Sequence, residues 1–270
     1  MSDASPAALL EPVSSIARQA GREILAVYAA GVPAAITTKP DDSPLTEADL
    51  RSQRLIEAAL RSLTPGIPVL AEESPQVPFA ERSAWGRCWL VDPLDGTREF
   101  LARNGEFTVN IALIEAHAPV LGVVHVPVSD TTYQGLPGEG AWRQQGACAA
   151  QPIRVAVPAH VPARVVGSRS HRGDSLQDFL ARLGPHELMA VGSARKFCLI
   201  AEGTADVYPR LGPTCEWDTA AGHAVVTGAG GTVVQLDGQP LRYNAREGLS
   251  NPHFIAYGDA RRDWCALLGG

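Results

Sequence analysis

The sequence lacks the features that mark several protein classes. No apolar run reaches the ~18 residues of a membrane-spanning helix. The opening residues Met1-Ser2-Asp3 lack the basic region and apolar core of a signal peptide. The five cysteines form no CxxC pair, which argues against a zinc site or a disulfide framework and favours reduced, mostly buried thiols. We therefore expect a cytoplasmic protein, with loose association with the inner membrane left open.

An excess of positive charge is also missing. The formal net charge is -6 over 270 residues, so the chain has no long-range attraction for DNA or RNA, and no polymeric nucleic acid is expected as a partner. A small anionic ligand would need local neutralisation by Lys, Arg or metal ions. The hydrophobic content of 45% is enough for a substantial core.

The hydrophobic periodicity changes near residue 150. Before it, amphipathic helices over residues 6–30 and from Thr46 through Leu63 flank a turn-rich stretch, residues 39–44, that is long enough to be an active-site loop. Short β-rich runs follow, and the stretches around Tyr133 and Trp142 indicate hairpin strands of the same sheet. After residue 150, helices and strands alternate, with one strand predicted over residues 205–208, and a terminal helix ends the chain. The pattern predicts an N-terminal α+β half, residues 1–150, and a C-terminal α/β half, residues 151–270.

The segment Asp92-Pro93-Leu94-Asp95-Gly96-Thr97 carries the strongest chemical signal. An apolar strand runs directly into Asp92, which Pro93 holds in an extended conformation. Asp95 is predicted to stand where a short helix begins. Carboxylates bind a hard cation such as Mg²⁺, and a helix N-terminus binds phosphate. The segment therefore combines both requirements of metal-assisted phosphate hydrolysis.

Two further acidic elements accompany it. Glu72 follows the apolar strand that ends at Ala71, and Asp218 lies at the start of a helix. Taken singly, Glu72 is also typical of a solvated turn, and Asp218 of a helix cap.

Two rival interpretations come from other classes. A haloacid-dehalogenase-type phosphatase would use Asp92 as a nucleophile, but there one residue separates the aspartates, and here two do. A calcium-binding module would need the alternating oxygen ligands of an EF-hand, which this segment lacks.

In this order, the three acidic elements resemble the inositol monophosphatase superfamily of metal-dependent, lithium-sensitive phosphatases, and the resemblance covers essentially the whole chain. It implies a layered sandwich of alternating helices and sheets, of the sugar-phosphatase type. Other strings are similar to the bacterial 3′(2′),5′-bisphosphate nucleotidases of sulfate assimilation: residues 104–110, 168–171, 196–199 and 217–223. This implies Mg²⁺-dependent hydrolysis of the 3′-phosphate of adenosine 3′,5′-bisphosphate to AMP. An inositol or sugar phosphate phosphatase of the same superfamily is the alternative.

The resemblance also implies roles for individual residues. Two or three Mg²⁺ ions would be held by Glu72, Asp92, Asp95, Asp218 and the Leu94 carbonyl. Thr97 and Asp49 would orient and deprotonate the attacking water, although Thr46 and Asp49 also match a helix capping box.

Binding of the substrate, a small nucleotide bisphosphate, would involve a larger set of residues. On the phosphate side these are Glu72, Leu94, Asp95, Gly96, Thr97 and Asp218. On the nucleotide side they are His171, Ser193, Lys196 and Arg210. His223 is interpreted as a packing residue. A monomer or a homodimer is expected.

Overall fold

The computed structural model describes residues 4–31, 37–38, 44–75, 77–168 and 174–268. Its helices are α1 (Pro6–Ala29), α2 (Glu47–Leu63), α3 (Phe79–Arg82), α4 (Thr97–Leu101), α5 (Asp174–Leu183), α6 (Arg195–Ala201) and α7 (Glu216–Gly228). Its strands up to residue 126 are β1 (Thr37–Thr38), β2 (Pro44–Leu45), β3 (Val69–Ala71), β4 (Arg87–Asp95), β5 (Thr108–Glu115) and β6 (Ala118–Val126). The later strands are β7 (Thr131–Leu136), β8 (Gly140–Gln145), β9 (Gln151–Pro152), β10 (Ala163–Ser168), β11 (His186–Val191), β12 (Val207–Arg210), β13 (Thr232–Gln235) and β14 (Phe254–Tyr257).

Two large sheets organise these elements. The first runs in the order β3-β4-β5-β6-β7-β8-β9; β3 pairs with β4 in parallel, and the other pairs are antiparallel. The second runs β11-β10-β12-β14-β13. It is mixed, because β10 is parallel to both neighbours while β14 is antiparallel to both of its own.

Three apolar clusters show how the layers stack. One joins α1 and α2 to one face of the seven-stranded sheet, through residues such as Ile24, Ile56 and Ile111. A second lies between the sheets and contains α6 and α7, with Phe197 and Val225 among its members. A third packs α5 and Trp264 on the outer face of the five-stranded sheet. The layers therefore alternate as helix, sheet, helix, sheet, helix, which confirms the predicted layered sandwich.

Two glycines let α7 lie directly on the seven-stranded sheet. A Cβ at Gly122 in β6 would come 2.3 Å from the Ala221 carbonyl oxygen, and one at Gly135 in β7 would come 2.4 Å from Val225 Cα. Only a residue without a side chain permits backbone approach this close. This contact positions the N-terminal turn of α7, which carries Asp218, beside the ends of β3 and β4.

The structure corrects several local predictions. The terminal helix is only a 3₁₀ turn, Cys265–Leu268, and the predicted strand over residues 205–208 begins later, at Val207. All five cysteines are free, but only Cys88 and Cys198 are buried and Cys148 is exposed, so the expectation of mostly buried thiols was wrong. Most of the predicted active-site loop, residues 39–43, lies outside the described residues. None of the described helices combines the length and apolar character needed to cross a membrane.

Candidate active site

The strand that carries the acidic segment was predicted to end at Asp92, but in the structure it is longer. It continues to Asp95, where pairing with β5 resumes: Asp92 is opposite Asn110 and Asp95 is opposite Thr108. Three steps along β4 therefore match two steps along β5, which is a β-bulge. In a regular strand, residues three apart point to opposite faces. The bulge absorbs one residue and brings the two carboxylates to the same side.

The helix that follows also differs from the prediction. It begins at Thr97, and the N-cap is Gly96 rather than Asp95. Gly96 has φ 93°, a left-handed conformation that glycine adopts without strain. The helix is only five residues long, and the N–H groups of its first turn have no acceptor within the helix.

Asp95 is held firmly through one of its two oxygens. Its Oδ2 accepts hydrogen bonds from the Ala194 backbone N–H and from Asn110 Nδ2 at 3.2 Å. The Thr108 hydroxyl lies 3.4 Å from the same oxygen and 3.0 Å from Asn110 Oδ1. These contacts fix the carboxylate and leave Oδ1 available to a ligand.

Asp218 is anchored in a similar way at the start of α7. It is the third residue of the helix rather than the first. Its Oδ2 accepts hydrogen bonds from Thr214 Oγ1 at 2.7 Å and from the Cys215 N–H at 2.9 Å. The capping interpretation and a ligand role are therefore compatible, because Oδ2 caps the helix and Oδ1 would be the oxygen that binds a ligand.

The carboxyl groups of the site perturb one another. Burial raises the pKa of Asp92 well above its usual value, and the charges of Glu72, Asp95 and Asp218 raise it further. Burial and Asp218 raise the pKa of Asp95 to about 7, against the opposing effect of Lys196. Burial and Glu72 raise the pKa of Asp218 to about 6. Acidic groups that repel each other in this way are stabilised by a cation.

The donor set fits a hard divalent cation. After burial, the charge of Glu72 is the largest cause of the raised pKa of Asp92, and two ionised carboxylates this close repel each other unless a cation lies between them. In the part of the chain that the structure describes, no three Asp, Glu, His or Cys side chains are already gathered at metal-binding spacing. Mg²⁺ does not need such a cage, because it usually takes one or two carboxylates together with waters and substrate phosphates.

Asp49 and Thr97 meet across the site from different helices. Asp49 is 1% exposed, and its Oδ2 accepts hydrogen bonds from the Thr46 N–H at 2.8 Å and hydroxyl at 2.6 Å. Its Oδ1 lies 3.3 Å from Thr97 Oγ1, which is also 3.4 Å from the Leu94 carbonyl oxygen. The capping box and the hydroxyl–carboxylate pair are therefore both present.

The predicted nucleotide-side residues lie on the opposite wall. Ser193 precedes α6, and Lys196 in its first turn is buried. Lys196 Nζ donates to the Ser193 carbonyl at 2.6 Å and lies 5.4 Å from the centre of the Tyr208 ring. Burial lowers the pKa of Lys196 to about 8, although Asp95 opposes the shift. Arg210, at the end of β12, donates to the Pro213 carbonyl.

A cavity of about 270 Å³ joins the two walls. Binding pockets are typically roughly 300–1,000 Å³, so this one suits a small ligand. Its lining includes Asp95, Gly96, Thr97 and Asp218 on the acidic side and Ser193, Lys196, Tyr208 and Arg210 on the other. Four of the six predicted phosphate-side residues thus share one cavity with three of the nucleotide-side residues, whereas Glu72 and Leu94 are not part of its lining.

The predictions for His171 and His223 have different outcomes. His171 lies outside the described residues. His223 is buried, and its Nδ1 is 3.0 Å from the Tyr243 hydroxyl. Burial lowers its pKa to about 4, so it packs as a neutral residue, as predicted.

Sequence reasoning missed residues that support the acidic groups. Asn110 and Thr108 contact Asp95, Thr214 contacts Asp218, and Tyr208 lines the cavity. The alternation of Thr108 and Asn110 in a β-rich run was the available signal, since alternate strand residues share a face. No local pattern identified β4 as the neighbouring strand, whose Asp95 these two side chains contact.

Comparison with known proteins agrees with this arrangement. A family model described as the inositol monophosphatase family matches residues 7–263. The chain belongs to the inositol monophosphatase family. Within the family, it is 49% identical to the 3′(2′),5′-bisphosphate nucleotidase CysQ of Salmonella typhimurium over 246 residues, covering 91% of this chain and 98% of that protein. The enzyme of the same name from Escherichia coli K12 is 48% identical with the same coverage.

Solved structures of the family share the fold. The crystal structure of CysQ from Bacteroides thetaiotaomicron matches with a TM-score of 0.79 and 41% identity, covering 91% of this chain and 96% of that one. An inositol monophosphatase from Anabaena has a TM-score of 0.76 and 24% identity, covering 97% of this chain and 95% of the other. At that identity, the second likeness concerns the fold alone.

Proposed function

We propose that this family member is a 3′(2′),5′-bisphosphate nucleotidase that hydrolyses the 3′-phosphate of adenosine 3′,5′-bisphosphate to AMP and inorganic phosphate. The observation that carries the proposal is the single cavity with a carboxylate wall facing a wall that bears Lys196 and Arg210. A substrate with two phosphates needs both walls, one for the reacting phosphate and one for the remaining anionic groups. Relatives named for this activity are 48–49% identical over nearly their whole length.

On the phosphate side, Glu72, Asp92, Asp95, Asp218 and the Leu94 carbonyl would hold Mg²⁺, two or three ions by the family resemblance. When bound, Mg²⁺ supplies a lowered pKa for the attacking water and neutralises charge on the leaving oxygen. The backbone N–H groups of Gly96 and Thr97 would bind oxygens of the reacting phosphate, as N–H groups at a helix start commonly do.

Proton removal would use Thr97 and Asp49. The Thr97 hydroxyl can accept the proton of a water while donating its own to Asp49 Oδ1, 3.3 Å away. Asp49 stays oriented during the transfer because Thr46 occupies its other oxygen. The 3.3 Å distance is long for an O–H···O hydrogen bond, and catalytic contacts of this kind commonly shorten when the substrate binds.

On the nucleotide side, Arg210 and Lys196 would neutralise the second phosphate, and Ser193 and His171 would contact the nucleoside. Arg210 is suited to this role because its guanidinium can donate two parallel hydrogen bonds to a phosphate. Lys196 would act mainly through its charge, because its ammonium already donates to Ser193.

A substrate panel with released phosphate measured tests the proposal. We expect adenosine 3′,5′-bisphosphate to have a kcat/KM at least ~100-fold above that of myo-inositol 1-phosphate, roughly the effect of one or two charged contacts. Activity should require Mg²⁺ and fall with added lithium. Comparable kcat/KM values for the two substrates would instead assign the chain to the inositol or sugar phosphate phosphatases.

A further inference from the structure

A short turn between β11 and α6, here called the 192–194 turn, holds Ser193 in an unusual conformation. Ser193 has φ 51°, in the left-handed region that residues other than glycine rarely adopt. The turn lines the cavity through Gly192, Ser193 and Ala194. Because this conformation is locally unfavourable, contacts from outside the turn are needed to maintain it.

Two carboxylates of the N-terminal half provide these contacts, one on each side of Ser193. The Gly192 N–H donates to Glu106 Oε2 at 2.9 Å, and the Ala194 N–H donates to Asp95 Oδ2. The Ser193 carbonyl then faces Lys196 Nζ at 2.6 Å. A hydrogen bond to a charged acceptor is roughly twice as strong as one between neutral groups, so the two carboxylates can hold the strained residue between them.

The space around the turn leaves little freedom for it to shift. A Cβ at Gly192 would lie 2.7 Å from Glu99 Cγ and 3.0 Å from the Glu106 carbonyl oxygen. A Cβ at Gly96 would lie 3.3 Å from that same carbonyl oxygen. The backbone of Glu106 is thus packed against both the phosphate-side Gly96 and the nucleotide-side Gly192, and its side chain accepts the hydrogen bond from the Gly192 N–H.

We propose that Glu106 is a positioning residue for nucleotide recognition, acting through the Gly192 N–H to hold Ser193 and the Lys196 ammonium in place. Glu106 is not proposed to contact the reacting phosphate. The inference rests on the proposed nucleotidase function, because it assigns to Ser193 and Lys196 a part in binding the nucleotide. It predicts a defect in substrate binding rather than in the chemical step.

Three substitutions test this role. Glu106→Met keeps the length of the side chain but removes the acceptor. Glu106→Asp keeps the charge but shortens the side chain by one methylene, which moves the carboxylate away from the Gly192 N–H. Both should raise the KM for adenosine 3′,5′-bisphosphate about 10-fold, while kcat and the Mg²⁺ concentration for half-maximal activity change less than about twofold. Glu106→Gln retains an acceptor oxygen and should keep a KM within about threefold of wild type.

The outcomes separate this role from a general structural one. A fall in kcat at constant KM, or equal defects in the Gln and Met variants, would overturn the proposal. So would an unchanged KM in the Asp variant, which tests the contact even if the Met variant does not fold. A wild-type enzyme without preference for the nucleotide over myo-inositol 1-phosphate would refute the proposed function itself, whereas a clear preference together with unaffected variants would refute only the role of Glu106.

Discussion

Thr97 Oγ1 lies 3.3 Å from Asp49 Oδ1, although the two residues belong to different helices, α4 and α2. Asp49 reaches this position because it is the third residue of α2 and is tied to the N-cap Thr46 by two hydrogen bonds. Its two oxygens therefore have separate contacts, Oδ2 with the N-cap Thr46 and Oδ1 with Thr97. This division makes the role in proton transfer testable apart from the role in capping.

We predict that Thr97→Val lowers kcat by about 10²–10⁴-fold, the usual range for a lost acid–base group. Thr97→Ser keeps the hydroxyl and should stay within about tenfold of wild type. Steady-state kinetics with adenosine 3′,5′-bisphosphate measure both. Equal activity of the Val and Ser variants would show that the hydroxyl takes no part in the reaction.

Asp49→Asn should lower kcat similarly, because an amide accepts no proton at neutral pH. The amide oxygen can still accept from the Thr46 backbone, so the loss of capping should cost only about 1 kcal/mol or less of unfolding free energy. Urea denaturation measures this change in the free energy of unfolding. A much larger loss of stability would mean that the kinetic defect reflects local unfolding of α2.

Removal of Asn110 should weaken Mg²⁺ binding. Asn110 is fully buried and donates to the Asp95 oxygen that also accepts from Ala194. Groups that orient a metal ligand typically contribute about 10–100-fold in affinity. We expect Asn110→Ala to raise the Mg²⁺ dissociation constant, measured by calorimetry, about 10-fold.

Asp95→Asn removes the proposed ligand itself and should lower kcat by orders of magnitude without loss of the fold. Wild-type turnover in that variant would contradict the cation site.

The acidic wall predicts a linked dependence of stability on pH and Mg²⁺. The pKa values of Asp95 and Asp218 are about 7 and about 6 in the folded chain, above the ordinary value of roughly 3.9 for an aspartate. The folded state therefore binds more protons than the unfolded state between about pH 4 and pH 7. Stability in the absence of metal should fall as pH rises through this window.

Mg²⁺ should reverse this trend, because it replaces the protons that these carboxyl groups lose. The increase in Tm caused by saturating Mg²⁺ should be larger at pH 8 than at pH 5.5, as measured by differential scanning fluorimetry. Burial also raises the pKa of Glu216 to about 7, but Glu216 is not among the proposed ligands, so its contribution should not respond to the metal. A Mg²⁺ effect that is independent of pH would argue against carboxylate ligands with raised pKa values.

Gly122→Ala tests whether the close contact between β6 and α7 positions Asp218 in the site. The new methyl group would meet the backbone oxygen of Ala221 at 2.3 Å, and a main-chain atom in a packed helix cannot easily move away. We expect a loss of about 1–3 kcal/mol in unfolding free energy together with weaker Mg²⁺ activation. Gly66→Ala is the matched control, because nothing lies within 4 Å of its Cβ position, and it should change stability by less than about 0.5 kcal/mol.

Much of the fold could be predicted from local patterns. The helix from Thr46 was correct because the capping residues Thr46 and Asp49 act within one turn of the chain. The hairpin strands around Tyr133 and Trp142 were also correct, since alternation and turn residues are local signals. The start of β12 and the terminal 3₁₀ turn were missed, because tertiary packing decides the ends of short elements.

By itself, the sequence identified the candidate residues for the chemistry: the carboxylates at 49, 72, 92, 95 and 218 and the cations at 196 and 210. Residue type and order carry that information. Only the tertiary structure decided how they face one another. The bulge between Asp92 and Asp95 turns these two residues to the same side. Glu106 and Asp95 hold the 192–194 turn by bonds to residues 86 and 99 positions further along the chain. The physical reason is that the position of a bulge and the contacts between distant segments of the chain depend on the packing of the whole core, which a local pattern in the sequence does not specify.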